Sequence, residues 1–179
     1  MNRNGLAASF PLLLLTTALA QIQPGTLVVA RVGDGAFSLT SSAQALFFDS
    51  YDRLLPGQAA PLQSLALPST VAGTSSHGFV TQSVAGRYLV VAGYGAAPFT
   101  ALIPFTTSVA FPRVIARIAL DGTIDATTAL TDAHSGGGGL PGDIVSAVTV
   151  DGSSFWTSGS GVQTANRGVC HTTLGATTS

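Results

Sequence analysis

Acid–base, nucleophilic or metal chemistry in this chain falls to three histidines, one cysteine and eight aspartates. His77, His134 and His171 lie far apart, with no His-x-x-x-His or Cys-x-x-Cys spacing, so no metal-ligand set is expected. Each sits beside glycine or small polar residues, which predicts exposed loops or strand edges. Ser75-Ser76-His77-Gly78 places hydroxyls beside an imidazole. Neighbours on a strand point to opposite faces, however, so adjacency does not make a catalytic pair. No Gly-x-Ser-x-Gly elbow occurs. Without lysine there is no Walker-type phosphate loop, and Gly93-Tyr94-Gly95 lacks the third glycine of a dinucleotide fingerprint.

Glycosidases use two carboxylates, and two close pairs exist, Asp49 with Asp52 and Asp121 with Asp125. Asp121-Gly122 and Asp151-Gly152 read instead as hairpin turns, where a residue tolerant of left-handed geometry is needed. Calcium at Asp121-x-x-x-Asp125 lacks the remaining ligands of an EF-hand loop. Phe155 and Trp156 could form an aromatic platform for a sugar, but they fall in a predicted strand where at least one should be core. Cys170 is alone, so it forms no intrachain disulfide; it reads as a small strand residue, with an intermolecular thiol as the alternative. The expectation is therefore no catalytic residue, no metal ligand and no cofactor, with the binding residues unassigned.

The elements that would position these groups are strands. All seven basic residues are Arg and all eight acidic residues are Asp; Lys and Glu, the usual residues of exposed helix faces, are absent. Short apolar runs bounded by Gly, Pro or Asp-Gly predict about ten strands: 26–32, 45–48, 62–67, 78–84, 88–92, 114–120, 127–130, 144–150, 155–157 and 169–174. Pro98, Pro104 and Pro112 mark an irregular connection, and Gly136 to Gly139 a flexible one.

Residues 1–20 read as a cleavable signal peptide: Arg3, an apolar stretch centred on Leu12 to Leu15, and Ala18-Leu19-Ala20 as the small-x-small cleavage pattern, leaving Gln21 first. The stretch is too short and too interrupted for a spanning helix. A single domain of 159 residues, 21–179, is then expected outside the cytoplasm, with no transmembrane segment. Six Arg against eight Asp in that domain supply no basic patch, which argues against nucleic acid and anionic membranes as partners.

An internal repeat organises the domain. Residues 80–95 align with residues 146–161, placing the glycines at 86, 93 and 95 on those at 152, 159 and 161. Each copy reads as strand, Gly turn, strand and Gly-x-Gly exit. After the first copy, a further strand pair turns on Asp121-Gly122, giving four antiparallel strands, the make-up of a propeller blade. Val148 to Trp156 with Gly159-x-Gly161 resembles the blade motif of exported bacterial β-propeller-type repeat proteins, most of them uncharacterised. The resemblance implies an all-β, partial propeller of about two to three blades; a β-sandwich is the alternative fold. Closure takes about four blades or more, so an incomplete propeller with an open blade face, prone to self-association, is expected. The expected function is a non-catalytic, exported module binding an extracellular ligand or protein. Its alternatives are a secreted hydrolase or lyase, which needs His77 or His134 to converge with an Asp, and an inactive fragment of a longer propeller protein.

Overall fold

The computed structural model describes residues 22–68 and 72–179. The leader with Ala18, Ala20 and Gln21 lies outside the described residues. The fold is all-β, with two antiparallel sheets and no α-helix among the described residues. The strands are β1 Thr26–Val32, β2 Gln44–Asp52, β3 Gln63–Ala66, β4 Ala72–Gly73, β5 Val80–Gln82, β6 Tyr88–Tyr94, β7 Arg113–Ala119, β8 Ile124–Leu130, β9 Ile144–Val148, β10 Ser154–Gly159 and β11 Gly168–Thr173. One 3₁₀ turn, Ile103–Phe105, interrupts the connection from β6 to β7. The ten predicted runs all contain strands; the two-residue β4 was not foreseen.

One sheet has eight strands and runs β1-β2-β4-β6-β7-β8, with β3 on β2 and β5 on β6. It comprises two meanders, β1-β2-β3 and β5-β6-β7-β8, joined through a single bridge from β4 to β6 at Ala72 and Tyr94. The second sheet is the meander β9-β10-β11. Because side chains alternate across a strand, each face of β6 has its own cover. Leu89 and Val91 join Val114, Ala116 and Ile118 of β7 against Val28, Ala30, Leu46 and Phe48 of the first meander. Val90 and Ala92 join Ile115 and Leu130 against Ile144, Ala147, Phe155 and Cys170 of the second sheet. The β5–β8 meander is thus a central layer, apolar on both faces because both are covered.

The two repeat hairpins, β5-β6 and β9-β10, lie in different sheets with the same strand order. Gly86 and Gly152 occupy matching turns at φ +70° and +86°, a left-handed conformation that glycine adopts at no steric cost. Each turn is pinned by a buried hydroxyl at the same aligned position. Ser83 Oγ accepts from the backbone N–H of Arg87 and Tyr88, and Thr149 Oγ1 accepts from that of Gly152. Asp121 and Asp151 each accept the N–H two residues on, at 2.9 Å, as the turn reading predicts.

Two expectations are corrected. Gly136 to Gly139 is not uniformly a flexible linker: a Cβ on Gly136 would lie 2.3 Å from the Pro104 carbonyl, and one on nearby Gly142 would lie 2.2 Å from Gly136 N. The loop is close-packed there, and glycine is the only residue that fits. The alignment of residues 80–95 on 146–161 sets Trp156 on Val90 and so predicts a core position for it, which the structure does not bear out. Val90 is fully buried under the second sheet, whereas Trp156 points to the outer face of that sheet and is 41% exposed.

Candidate functional site

The aspartates of the two close pairs are engaged within the fold. Asp49 accepts from Arg31 Nε at 2.6 Å and from Ser64 Oγ at 2.6 Å, and the Arg31 hydrogen bond holds its carboxyl below the usual range. Asp52 accepts the N–H of Leu54. Asp125 bonds Thr127 and pairs with Arg117 at 3.2 Å. None of these faces another carboxylate across a cleft, and among the described residues no group of three or more His, Cys, Asp or Glu could hold a metal ion.

Two of the three histidines depart from the expected exposed loop or strand-edge position. His171 is exposed, its ring tilted by 53° against that of Trp156 with centroids 4.9 Å apart. His77 and His134 are buried, and they sit beside a fully buried arginine, Arg113. The guanidinium of Arg113 donates to the carbonyls of His134, Phe111, Thr106 and Gly142 at 2.7–3.0 Å. It also lies 4.7 Å from the ring centroid of Tyr94. Tyr94 donates its hydroxyl to Asp143, and His77 packs edge-on against the Tyr94 ring at 4.9 Å. His77 Nδ1 meets Thr74 Oγ1 at 2.7 Å, and His134 Nε2 meets Thr157 Oγ1 at 2.9 Å.

Burial dominates the protonation of this cluster. Desolvation lowers both histidines, His134 to about 4 with further repulsion from Arg113, so both rings are neutral at pH 7. Desolvation, with the bond to Asp143 behind it, raises the Tyr94 phenol. The cluster therefore has the inventory of an acid–base centre, with both imidazoles, the phenol and the guanidinium buried. Arg113 spends its donors on backbone carbonyls of the loops 103–112 and 132–143, and that is the work of a structural hub. Burial of His77 and His134 was missed because small polar neighbours in sequence say nothing about which loop folds over them.

A more open site lies at the same end of the fold, where the β1–β2 loop meets the segment leaving β6. A backbone ladder zips the two: Phe99 N to Ala43 O at 2.6 Å, Ala43 N to Thr100 O at 2.8 Å and Ile103 N to Ser41 O at 3.1 Å. Asp34 Oδ1 and Thr40 Oγ1 each accept an N–H two residues on, stiffening the β1–β2 loop. The result is a cleft of about 380 Å³ lined by Phe37, Ser38, Thr40, Ser42, Gln44 and Phe99. Phe37 and Phe99 are 64% and 60% exposed, and they meet edge to face at 5.6 Å and 83°. Phe99 holds φ +70°, a conformation that costs a β-carbon-bearing residue about 1 kcal/mol or more and recurs at ligand sites. No charged side chain lines the cleft. Its chemistry is two apolar ring surfaces beside hydroxyls and a carboxamide. Neither phenylalanine was singled out in sequence, since they stand 62 positions apart in loops without periodicity.

Compared with known proteins, the chain matches no family model, no curated protein and no solved structure.

Proposed function

We propose that this chain is an exported, non-catalytic β-repeat module that binds a neutral, hydroxyl-rich ligand such as a saccharide in the Phe37–Phe99 cleft. The observation that carries the reading is the pair of exposed phenylalanine rings held on zipped loops over Ser38, Thr40, Ser42 and Gln44. Aromatic faces take the apolar C–H face of a sugar ring, and hydroxyls and an amide take its polar edge. The uncharged lining matches a neutral ligand. Export is supported by the leader pattern ending at Ala18-Leu19-Ala20. A partial propeller, with each meander as a blade, is supported by the matching strand orders and turns of the two repeats.

Titration of the purified chain with a panel of neutral oligosaccharides, followed by calorimetry, tests the reading. Saturable binding that is lost in Phe37→Ala and Phe99→Ala is expected; heat of dilution alone across the panel would refute it. N-terminal analysis of exported material should begin at Gln21.

A secreted hydrolase is the second reading, and one observation favours it: His77 and His134 converge with Tyr94, Arg113 and Asp143. Their burial weighs against it. A hydrolytic activity abolished by Asp143→Asn, in a variant that keeps its fold, would reverse that judgement.

A further inference from the structure

We infer that Gln44 is the specificity-determining residue of the Phe37–Phe99 cleft, and that the group it selects is a vicinal diol, two hydroxyls on adjacent ligand carbons. The diol deepens the saccharide reading given above and depends on it. Gln44 opens β2, opposite Gly73 in register. Alternation along the strand sets it on the face of Leu46 and Phe48, which belong to the core. Its carboxamide is carried past the end of that core and under the β1–β2 loop, where a Cβ on Gly33 would lie 3.8 Å from Gln44 Oε1. Gln44 is only 5% exposed, yet its side chain is among those that line the cleft.

A carboxamide taken out of water needs hydrogen-bond partners, and the two glutamines flanking the β2 strand differ in finding them. The Gln58 amide is spent on its own loop, accepting from Asp52 N and donating to the carbonyls of Asp52 and Leu55. The Gln44 amide makes no hydrogen bond among the described residues, so its acceptor and donors are offered to whatever enters the cleft. Ser38 and Thr40 are exposed and Ser42 is half-buried. Water serves such hydroxyls without a ligand, and a hydroxyl turns to suit either role. Discrimination therefore falls on Gln44, whose Oε1 only accepts and whose Nε2 only donates. Two gauche hydroxyls on neighbouring carbons meet both ends together, one donating to Oε1 and the other accepting from Nε2. A lone hydroxyl meets one end. A trans secondary amide turns its N–H and C=O opposite ways, and a carboxylate or an ammonium offers a single role. The Phe37 and Phe99 rings beside Gln44 take the C–H surface that adjoins such a diol on a sugar ring.

Calorimetry of the full chain with methyl α-mannoside and methyl β-glucoside, and with analogues of each lacking one ring hydroxyl at a time, tests this. Loss of either member of one adjacent hydroxyl pair should weaken binding about tenfold, the net worth of one hydrogen bond, and other positions should matter less. Gln44→Met keeps the side-chain length and removes the amide. It should bind the full glycoside more weakly than the parent does, and no better than it binds the deoxy analogues. Because an unpartnered amide gives way to an apolar chain, Gln44→Met should also unfold at a urea concentration equal to or above the parent's. A glutamine serving structure alone would give the reverse, and a less stable methionine variant overturns the proposal. Glycoside binding that depends on no adjacent hydroxyl pair, or that is unchanged in Gln44→Met, also overturns it and leaves the saccharide reading in place. Absence of binding by all these glycosides overturns the diol, whose recognition needs a single sugar ring. Oligosaccharide binding in the panel above then keeps the saccharide reading, and its absence there refutes both.

Discussion

Thr81 Oγ1 donates a 2.6 Å hydrogen bond to the carbonyl of Ala147, its own counterpart 66 residues further along the chain. The bond links equivalent strands, β5 and β9, across the boundary between the two sheets. Beside it, the turn after β5 donates from Val84 and Ala85 to the carbonyls of Thr149 and Val150. The Arg117 guanidinium, 4.7 Å from the Tyr88 ring centroid, donates to the Gly152 carbonyl at 3.0 Å. A side chain on Gly152 would press within 2.7 Å of the Tyr88 ring. Glycine at 152 thus serves twice, for the turn and for the approach of the layers.

Phe99 offers a separation of stability from binding. Its ring is mostly exposed and its backbone is strained at φ +70°. Phe99→Gly relieves the strain at the cost of a freer unfolded chain, so stability should stay within about 1 kcal/mol of the parent. Phe99→Ala keeps the strain and should be the less stable of the two in urea unfolding. Both should lose saccharide binding. An alanine variant more stable than the glycine one would show that φ at 99 is not strained.

Arg113→Met should cost about 3 kcal/mol or more, since each buried acceptor left without its donor costs roughly 1–3 kcal/mol. Four carbonyls in two loops lose their donor together. Arg113→Lys should recover only part of this, because a compact ammonium cannot span acceptors arranged around a planar fork. Urea midpoints of both variants against the parent decide it. A lysine variant equal to the parent would show that charge alone matters.

Stability should fall as the pH drops from about 6.5 toward 4. His134 has its folded pKa pushed to about 4, below its ordinary value near 6.5. Between those values the unfolded chain binds the proton more readily, so acid favours unfolding there. The contribution is complete above pH 6.5 and fades as pH falls through the folded value. His77 acts in the same direction. Asp49, held low by Arg31, adds a separate loss at still more acid pH. His134→Asn tolerates the φ of +50° found there and does not titrate. Its urea midpoint should decline less steeply from pH 6.5 to 4 than the parent's; an unchanged slope would place the titration elsewhere.

Strand content and turns were legible in the sequence because their causes are local. Asp121-Gly122 and Asp151-Gly152 bend the chain by their own conformational preference, and the all-apolar run from Tyr88 to Ala92 announced a strand covered on both faces. The hub around Arg113 was not legible, because its partners are backbone carbonyls and carry no side-chain signature. The Phe37–Phe99 cleft was hidden for a similar reason: a two-residue bridge at β4 and a short loop ladder bring together segments with no periodic pattern. The exposure of Trp156 is a question of what lies beyond the last sheet, and no window around residue 156 contains that information.

Phe155 and Trp156 are adjacent aromatic residues on β10 that should respond in opposite ways to truncation. Phe155 is fully buried between the sheets, against Val90, Ala92 and Ile115. Phe155→Ala leaves a cavity in a packed interior and should cost about 3–5 kcal/mol. Trp156→Ala removes a larger side chain but one whose outer surface meets solvent, with His171 and Val148 as its in-register neighbours. Its cost should be well below that of Phe155→Ala. Thermal unfolding of both variants against the parent measures the difference. A loss at Trp156 as large as that at Phe155 would mean that the exposed side chain supports its own sheet.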